Sequence, residues 1–169
     1  MPSGTFPGRI STRAVTLAFA LTRHFPRGRV GLYWTAQAAG AVAAAPILRG
    51  SLGDHAAVGA TVPSGTQAQS FLWEFILTVF LMFVIMAVAT DTRAIGKAAA
   101  LAIGATVGLD AMFGGPISGA SMNPARSFGP ALVANEWRGF WLYVIAPVLG
   151  AGFGALIYQL VRGEQSQAA

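Results

Sequence analysis

Long uncharged stretches leave this chain few architectures. Residues 30–48, 75–90 and 139–161 carry no charged side chain, and another uncharged run, 98–109, continues past Asp110. A helix needs about 20 predominantly apolar residues to cross a bilayer core; residues 71–90 reach that length by enclosing Glu74. Soluble domains are about 25% charged, whereas these 169 residues are 10% charged and 54% hydrophobic. The expected class is an all-α membrane protein with four spanning helices, 30–49, 71–90, 97–113 and 139–161.

The positions of the charges give a topology. Arg23, Arg27 and Arg29 precede the first span, Arg93 and Lys97 separate the second from the third, and Arg162 follows the fourth. Those are alternate loops, hence one side, while Arg49, Arg126 and Arg138 fall on the other. The positive-inside rule places the N-terminus, the 91–97 turn and the C-terminus in the cytoplasm. The net charge of +5 therefore reports topology, not a nucleic-acid partner. Residues 1–13 contain no continuous apolar region and form neither a signal peptide nor a span. With no cysteine, disulfides and thiolate sites are excluded; His24 and His55 lie far apart near span ends and read as solvated loop residues. No nucleophile with a base, metal set or phosphate loop is present, so neither an enzyme nor a cofactor is expected.

The chain also repeats itself. Shifting it by 110 positions matches Leu32, Tyr33, Ala36, Gly40, Ala41, Ala45 and Ile47 with Leu142, Tyr143, Ala146, Gly150, Ala151, Ala155 and Ile157, seven identities in sixteen positions. With one residue of slippage, Ala14, Ala20 and Leu21 match Ala125, Ala131 and Leu132. In the topology above the two copies run in opposite directions, the inverted repeat of many membrane transport folds. Two spans precede Ala125 within its half, but only residues 1–13 precede Ala14. The expectation is that the first half lacks its first two spans and that the Gly, Ser and Thr-rich stretch 50–70 joins the halves on the outside. Small residues at four-residue spacing, Gly104 with Gly108 and Gly150 with Gly154, are expected to permit close helix packing.

Between Leu109 and the last span lies "DAMFGGPISGASMNPARSFGPALVANEWRG", too broken for one spanning helix. The glycines and Pro116 favour irregular backbone, and Asn123 followed by Pro124 is a helix-start signal: Asn caps, and Pro suits the first helical position. A short helix is expected from Pro124 to about Val133, long enough for about half a hydrocarbon core. Irregular backbone within a membrane is tolerated where it is buried in protein or lines a water-filled cavity. The reading is a re-entrant loop whose Gly119, Ala120, Ser121 and Met122 carbonyls line a pore, with the positive end of the short helix facing the cavity. A kinked span is the alternative on pattern alone.

"SGASMNPARSFGPAL" resembles the second signature loop of the aquaporin, or major intrinsic protein, family, whose members carry an Asn-Pro-Ala on each of two half-helices. "LYWTAQAAGA", "FLWEFILTVFLMFVIMAVATD", "AAALAIGATVGL" and "FWLYVIAPVLGAGFGALIY" are similar to that family's third to sixth spans. The resemblance covers about 14–162, leaving 1–13 as a non-family segment and 163–169 as a cytoplasmic tail. It implies a partial aquaporin-like inverted-repeat bundle, four spans plus two half-helices, in a multi-pass plasma-membrane protein. It further implies a passive channel for water or small neutral solutes in a lipid bilayer, with the homotetramer usual in the family as the candidate assembly. Asn123, Pro124 and Ala125 would be the pore signature, and Arg126, Ala111 and Ala120 the selectivity filter. Two small filter residues suggest a wide filter that admits glycerol-sized solutes, whereas Ser127 and Ala131 fit the water-channel pattern. Glu74 would brace the re-entrant loop by accepting backbone N–H bonds; the alternative is a Glu facing headgroups. Gln37 would do the same for the other half, unless it serves helix packing. Asp110 reads as capping or solvation at the end of its span.

Where the family places its first Asn-Pro-Ala, this chain has Thr12, Arg13 and Ala14. Thr can cap, but Arg lacks proline's preset dihedral and brings charge toward the membrane, which favours snorkelling to an interface. The expectation is a chain truncated or disrupted at its start, one copy walling one side of a pore. A non-conducting fragment or membrane subunit is the alternative function. An active transporter would need more midplane acids than Glu74 and Asp110.

Overall fold

The computed structural model describes residues 30–53, 59–90 and 97–167. Within them lie five helices: α1 (Val30–Leu52), α2 (Gln67–Thr90), α3 (Lys97–Ser118), α4 (Pro124–Ala134) and α5 (Phe140–Gln167). Thr12, Arg13, Ala14, His24 and His55 fall outside the described residues.

Among the described residues, three helices are long and apolar enough to cross a membrane, over Gln67–Val88, Ala99–Ser118 and Phe140–Arg162. The fourth expected span, α1, has the length with 23 residues. Its Thr35, Gln37, glycines and many alanines leave it less apolar than the other three.

α2 lies at the centre, packed against α3 and α5, while α1 packs on α4 and α4 also touches α5. The buried positions of α2 are Ser70, Glu74, Leu77, Thr78, Leu81, Met82, Ile85 and Met86. They recur at three- and four-residue steps, so one stripe of an almost wholly apolar helix faces protein.

Contacts between α2 and α5 are set by missing side chains. A Cβ on Gly150 would stand 2.5 Å from the Phe75 carbonyl oxygen, and one on Gly154 would stand 2.5 Å from that of Val79. Where α1 crosses α4, a Cβ on Gly129 would stand 2.2 Å from the Ala41 carbonyl oxygen. Small residues allow backbones to approach this closely, and dispersion accumulates over the contact. The expectation for the other pair is not met among the described residues, where nothing lies within 4 Å of a Cβ on Gly104 or Gly108. These two face outward on α3, whose buried stripe is made by Asp110, Gly114 and Ser118. Gly40, the repeat equivalent of Gly150, likewise meets none of the described residues.

The third span is also longer than expected. Rather than breaking at Gly114, α3 continues through Gly115 and Pro116 to Ser118. Membrane helices accommodate Gly and Pro, and Gly114 fits against Leu77, whose Cδ1 would be 2.3 Å from an added Cβ. Asp110 consequently sits inside a helix and caps nothing; it is buried, with Oδ2 unpartnered among the described residues.

These contacts predict that Gly150→Ala and Gly154→Ala each destabilise the bundle by about 1–3 kcal/mol through overpacking. Gly104→Ala should be neutral or slightly stabilising, since alanine is the better helix former. Unfolding in mixed micelles with increasing sodium dodecyl sulfate measures this, and a Gly154→Ala protein as stable as its parent would refute the packing account.

Candidate functional site

Glu74 belongs to the buried stripe of α2 and is wholly inaccessible. An ionised carboxylate accepts at about four lone-pair positions and donates nothing, so burial obliges the surroundings to supply donors. Three arrive from one short stretch of chain. The Ser118 hydroxyl donates to Oε1 at 2.8 Å, the Ser121 N–H to Oε1 at 2.8 Å and the Met122 N–H to Oε2 at 2.7 Å. The last turn of α3 and the following loop are thereby fixed to the middle of the bundle.

To reach Glu74 the loop adopts an unusual backbone. Gly119, Ala120 and Met122 have φ of +86°, +44° and +51°. Left-handed φ is unremarkable for glycine but costs a side-chain-bearing residue about 1 kcal/mol or more. The hydrogen bonds to a buried charge offset that strain. They also orient the carbonyls. The peptide bonds are trans, so each N–H and the preceding C=O point in opposite directions. With the Ser121 and Met122 N–H groups on Glu74, the Ala120 and Ser121 carbonyls point away from it. The Ala120 N–H turns to Ser118 Oγ at 3.2 Å, which turns the Gly119 carbonyl outward too.

Asn123 then starts α4. Its φ and ψ of −152° and 111° are extended, its Oδ1 accepts the Ala125 N–H at 3.0 Å, and Pro124 fills the first helical position. With Oδ1 engaged by the backbone, the side-chain NH₂ remains the donor end. At the other end Asn135 closes the helix in the left-handed conformation, its N–H on the Ala131 carbonyl. Hydroxyls complete the frame: Ser121 donates to the Asn123 carbonyl at 2.9 Å and meets Ser127, which meets Thr61. Tyr143 of α5 donates to the Ser118 carbonyl at 2.6 Å.

The structure thus brings together Glu74, Gly119, Ala120, Ser121, Met122, Asn123, Pro124 and Ala125. Arg126 is exposed in the first turn of α4, between buried Ala125 and Ser127, and Asn123 is half-buried beside it. Ala120 is buried while Ala111 is exposed on α3. Gln37 is half-buried one turn before Ala41, and its expected partners at 12–14 lie outside the described residues. Sequence reasoning missed the roles of Ser118 and Thr61 and the bonds of Ser127 and Tyr143. The available signal was hydroxyls embedded in apolar sequence, Ser118, Ser121 and Ser127 among them, which need partners when buried.

Comparison with known proteins gives the family. The family model "Major intrinsic protein" matches residues 11–158. The chain belongs to that family. It is 53% identical to Nodulin-26 of Glycine max over 150 residues, covering 88% of this chain and 55% of that protein. It is 52% identical to Aquaporin NIP1-4 of Oryza sativa subsp. japonica over 150 residues, with the same two coverages. The chain therefore spans about half the length of the curated relatives it matches. Among solved structures, the aquaglyceroporin from Plasmodium falciparum shares the fold with a TM-score of 0.78 at 23% identity, over 94% of this chain and 74% of that one. With its apolar helices, this major intrinsic protein is an integral, multi-pass membrane protein.

Glu74→Ala should leave the Ser121 and Met122 N–H groups buried without acceptors, destabilising the fold by about 3 kcal/mol or more. Glu74→Gln retains one acceptor oxygen and should lose less. Asn123→Ala, which removes a helix cap, should cost about 1 kcal/mol. Denaturation in micelles orders the three, and an Asn123→Ala protein weaker than Glu74→Ala would contradict the assignment of Glu74 as principal brace.

Proposed function

We propose that this chain forms the wall of a passive channel for water and small neutral solutes. The observation that carries the proposal is the 119–123 loop, whose Ala120, Ser121 and Met122 N–H groups are spent on Ser118 and Glu74 while the Gly119, Ala120 and Ser121 carbonyls point away as a row of acceptors. A solute leaving water needs such acceptors, and the Asn123 NH₂ adds a donor at the start of α4. The positive end of α4 and the exposed Arg126 beside it disfavour cations and protons. Ala111 and Ala120 would complete a filter wide enough for glycerol-sized molecules, and the names of the aquaporin relatives and of the aquaglyceroporin neighbour support solutes of this class.

In this reading Gln37 braces the half begun by Thr12, Arg13 and Ala14, as Glu74 braces the half begun by Asn123, Pro124 and Ala125. The distribution of basic residues supports a cytoplasmic C-terminus, and the family resemblance supports a homotetramer as the proposed assembly. A non-conducting membrane subunit is the competing reading, favoured by α1 packing mainly on α4 among the described residues.

Proteoliposomes decide between them. With insertion established by protease protection, osmotic shrinkage followed by stopped-flow scattering should exceed that of empty vesicles and show a low activation energy. Arg126→Trp, placing bulk at the filter, should return the rate to the empty-vesicle value. Inserted wild-type protein that shrinks no faster than empty vesicles would overturn the channel reading in favour of the subunit.

A further inference from the structure

The segment 59–66 looks in sequence like part of a plain Gly, Ser and Thr-rich connection. In the structure it is pinned to the loop below it. The Ser64 N–H donates to the Ile117 carbonyl at 3.1 Å, and Pro63 abuts Gly139, where an added Cβ would stand 2.9 Å from its Cγ. Thr61 is buried, and its Cγ2 would lie 3.1 Å from a Cβ on Gly119. Its Oγ1 is 2.6 Å from Ser127 Oγ.

The hydroxyls form a directed chain. Each has one proton to donate. Ser121 donates to the Asn123 carbonyl, so in the Ser121–Ser127 bond the proton comes from Ser127, and in the Ser127–Thr61 bond it comes from Thr61. Thr61 therefore heads a relay ending on the carbonyl of the capping residue. Without it, Ser127 is free to rotate onto its own i−4 carbonyl, that of Asn123, a common alternative for a helical serine. The Ser121 hydroxyl and the Ser127 N–H already fill the two lone pairs of that acceptor, so Ser127 would displace Ser121 and the loop would lose its fixed register.

We infer that Thr61 is a specificity-setting positioning residue: through Ser127 and Ser121, its hydroxyl holds the 119–123 backbone and so fixes the width of the passage beside Arg126. The inference rests on the channel reading for its consequence, but not for its geometry. The segment thus acts as a clamp across α3, the loop and α4, laid over them from one side.

The test compares Thr61→Val, which keeps the shape without the hydroxyl, with Thr61→Ser, which keeps the hydroxyl. Hydrogen exchange by mass spectrometry in nanodiscs reads the amides of Ser121, Met122 and Ala125. Exchange there should be about tenfold faster in Thr61→Val and within about twofold of wild type in Thr61→Ser, with α2 and α5 amides unchanged. In proteoliposomes the ratio of glycerol to water permeability, which is independent of the amount of active protein, should shift in Thr61→Val and return in Thr61→Ser. Wild-type exchange in Thr61→Val overturns the inference, as does equal acceleration in Thr61→Ser, which would assign the effect to packing. Should Thr61→Val unfold the whole bundle, Ser127→Ala breaks the same relay and is read in the same way. If wild-type vesicles do not conduct, the channel reading falls while the exchange data still decide the clamp.

Discussion

A single buried carboxylate organises the centre of this protein. Glu74 is inaccessible in the middle of an apolar bundle, where an uncompensated charge is strongly unfavourable. Its donors come from Ser118, Ser121 and Met122, so the end of α3 and the loop before α4 are anchored to one point on α2. That anchor dictates the left-handed residues, turns the Gly119, Ala120 and Ser121 carbonyls outward and sets where Asn123 starts the short helix. The loop is held in left-handed backbone against its own preference because releasing it would strand the charge.

Around that point, helix packing follows the logic of a lipid solvent. Hydrophobic contrast gives little drive for one apolar helix to seek another in a bilayer, so close approach has to supply it. Gly150 and Gly154 let α5 rest on the carbonyl oxygens of α2, and Gly129 lets α4 rest on that of α1. By holding α2 and α5 together, the first contact also fixes Tyr143 over the Ser118 carbonyl, a second tie on the same turn.

Much of this was legible beforehand, for local reasons. Uncharged length marked the helices, and Asn123–Pro124 marked a helix start that occurs where expected, with Asn123 capping and α4 ending at Ala134. The failures share one cause. In a soluble protein apolar residues reveal the buried face, but in a membrane helix both faces are apolar, so composition cannot separate Gly150, which touches α2, from Gly104, which meets none of the described residues. Gly114 and Pro116 looked like breakers, yet α3 carries them because Gly114 is a contact with Leu77. Thr61 was invisible because its partner Ser127 lies 66 residues away and its own neighbourhood reads as a linker.

What the amino-acid order determined unaided is therefore the part governed by neighbouring residues: which segments are helical, where α4 begins, that the chain belongs in a bilayer, and that Glu74 would need donors. The tertiary structure decided which donors those are, which glycines are interfaces, and that a hydroxyl on a surface segment ties into the loop before α4. Those outcomes depend on groups brought together from distant positions, and a uniformly apolar sequence carries no periodic contrast from which such pairings can be read.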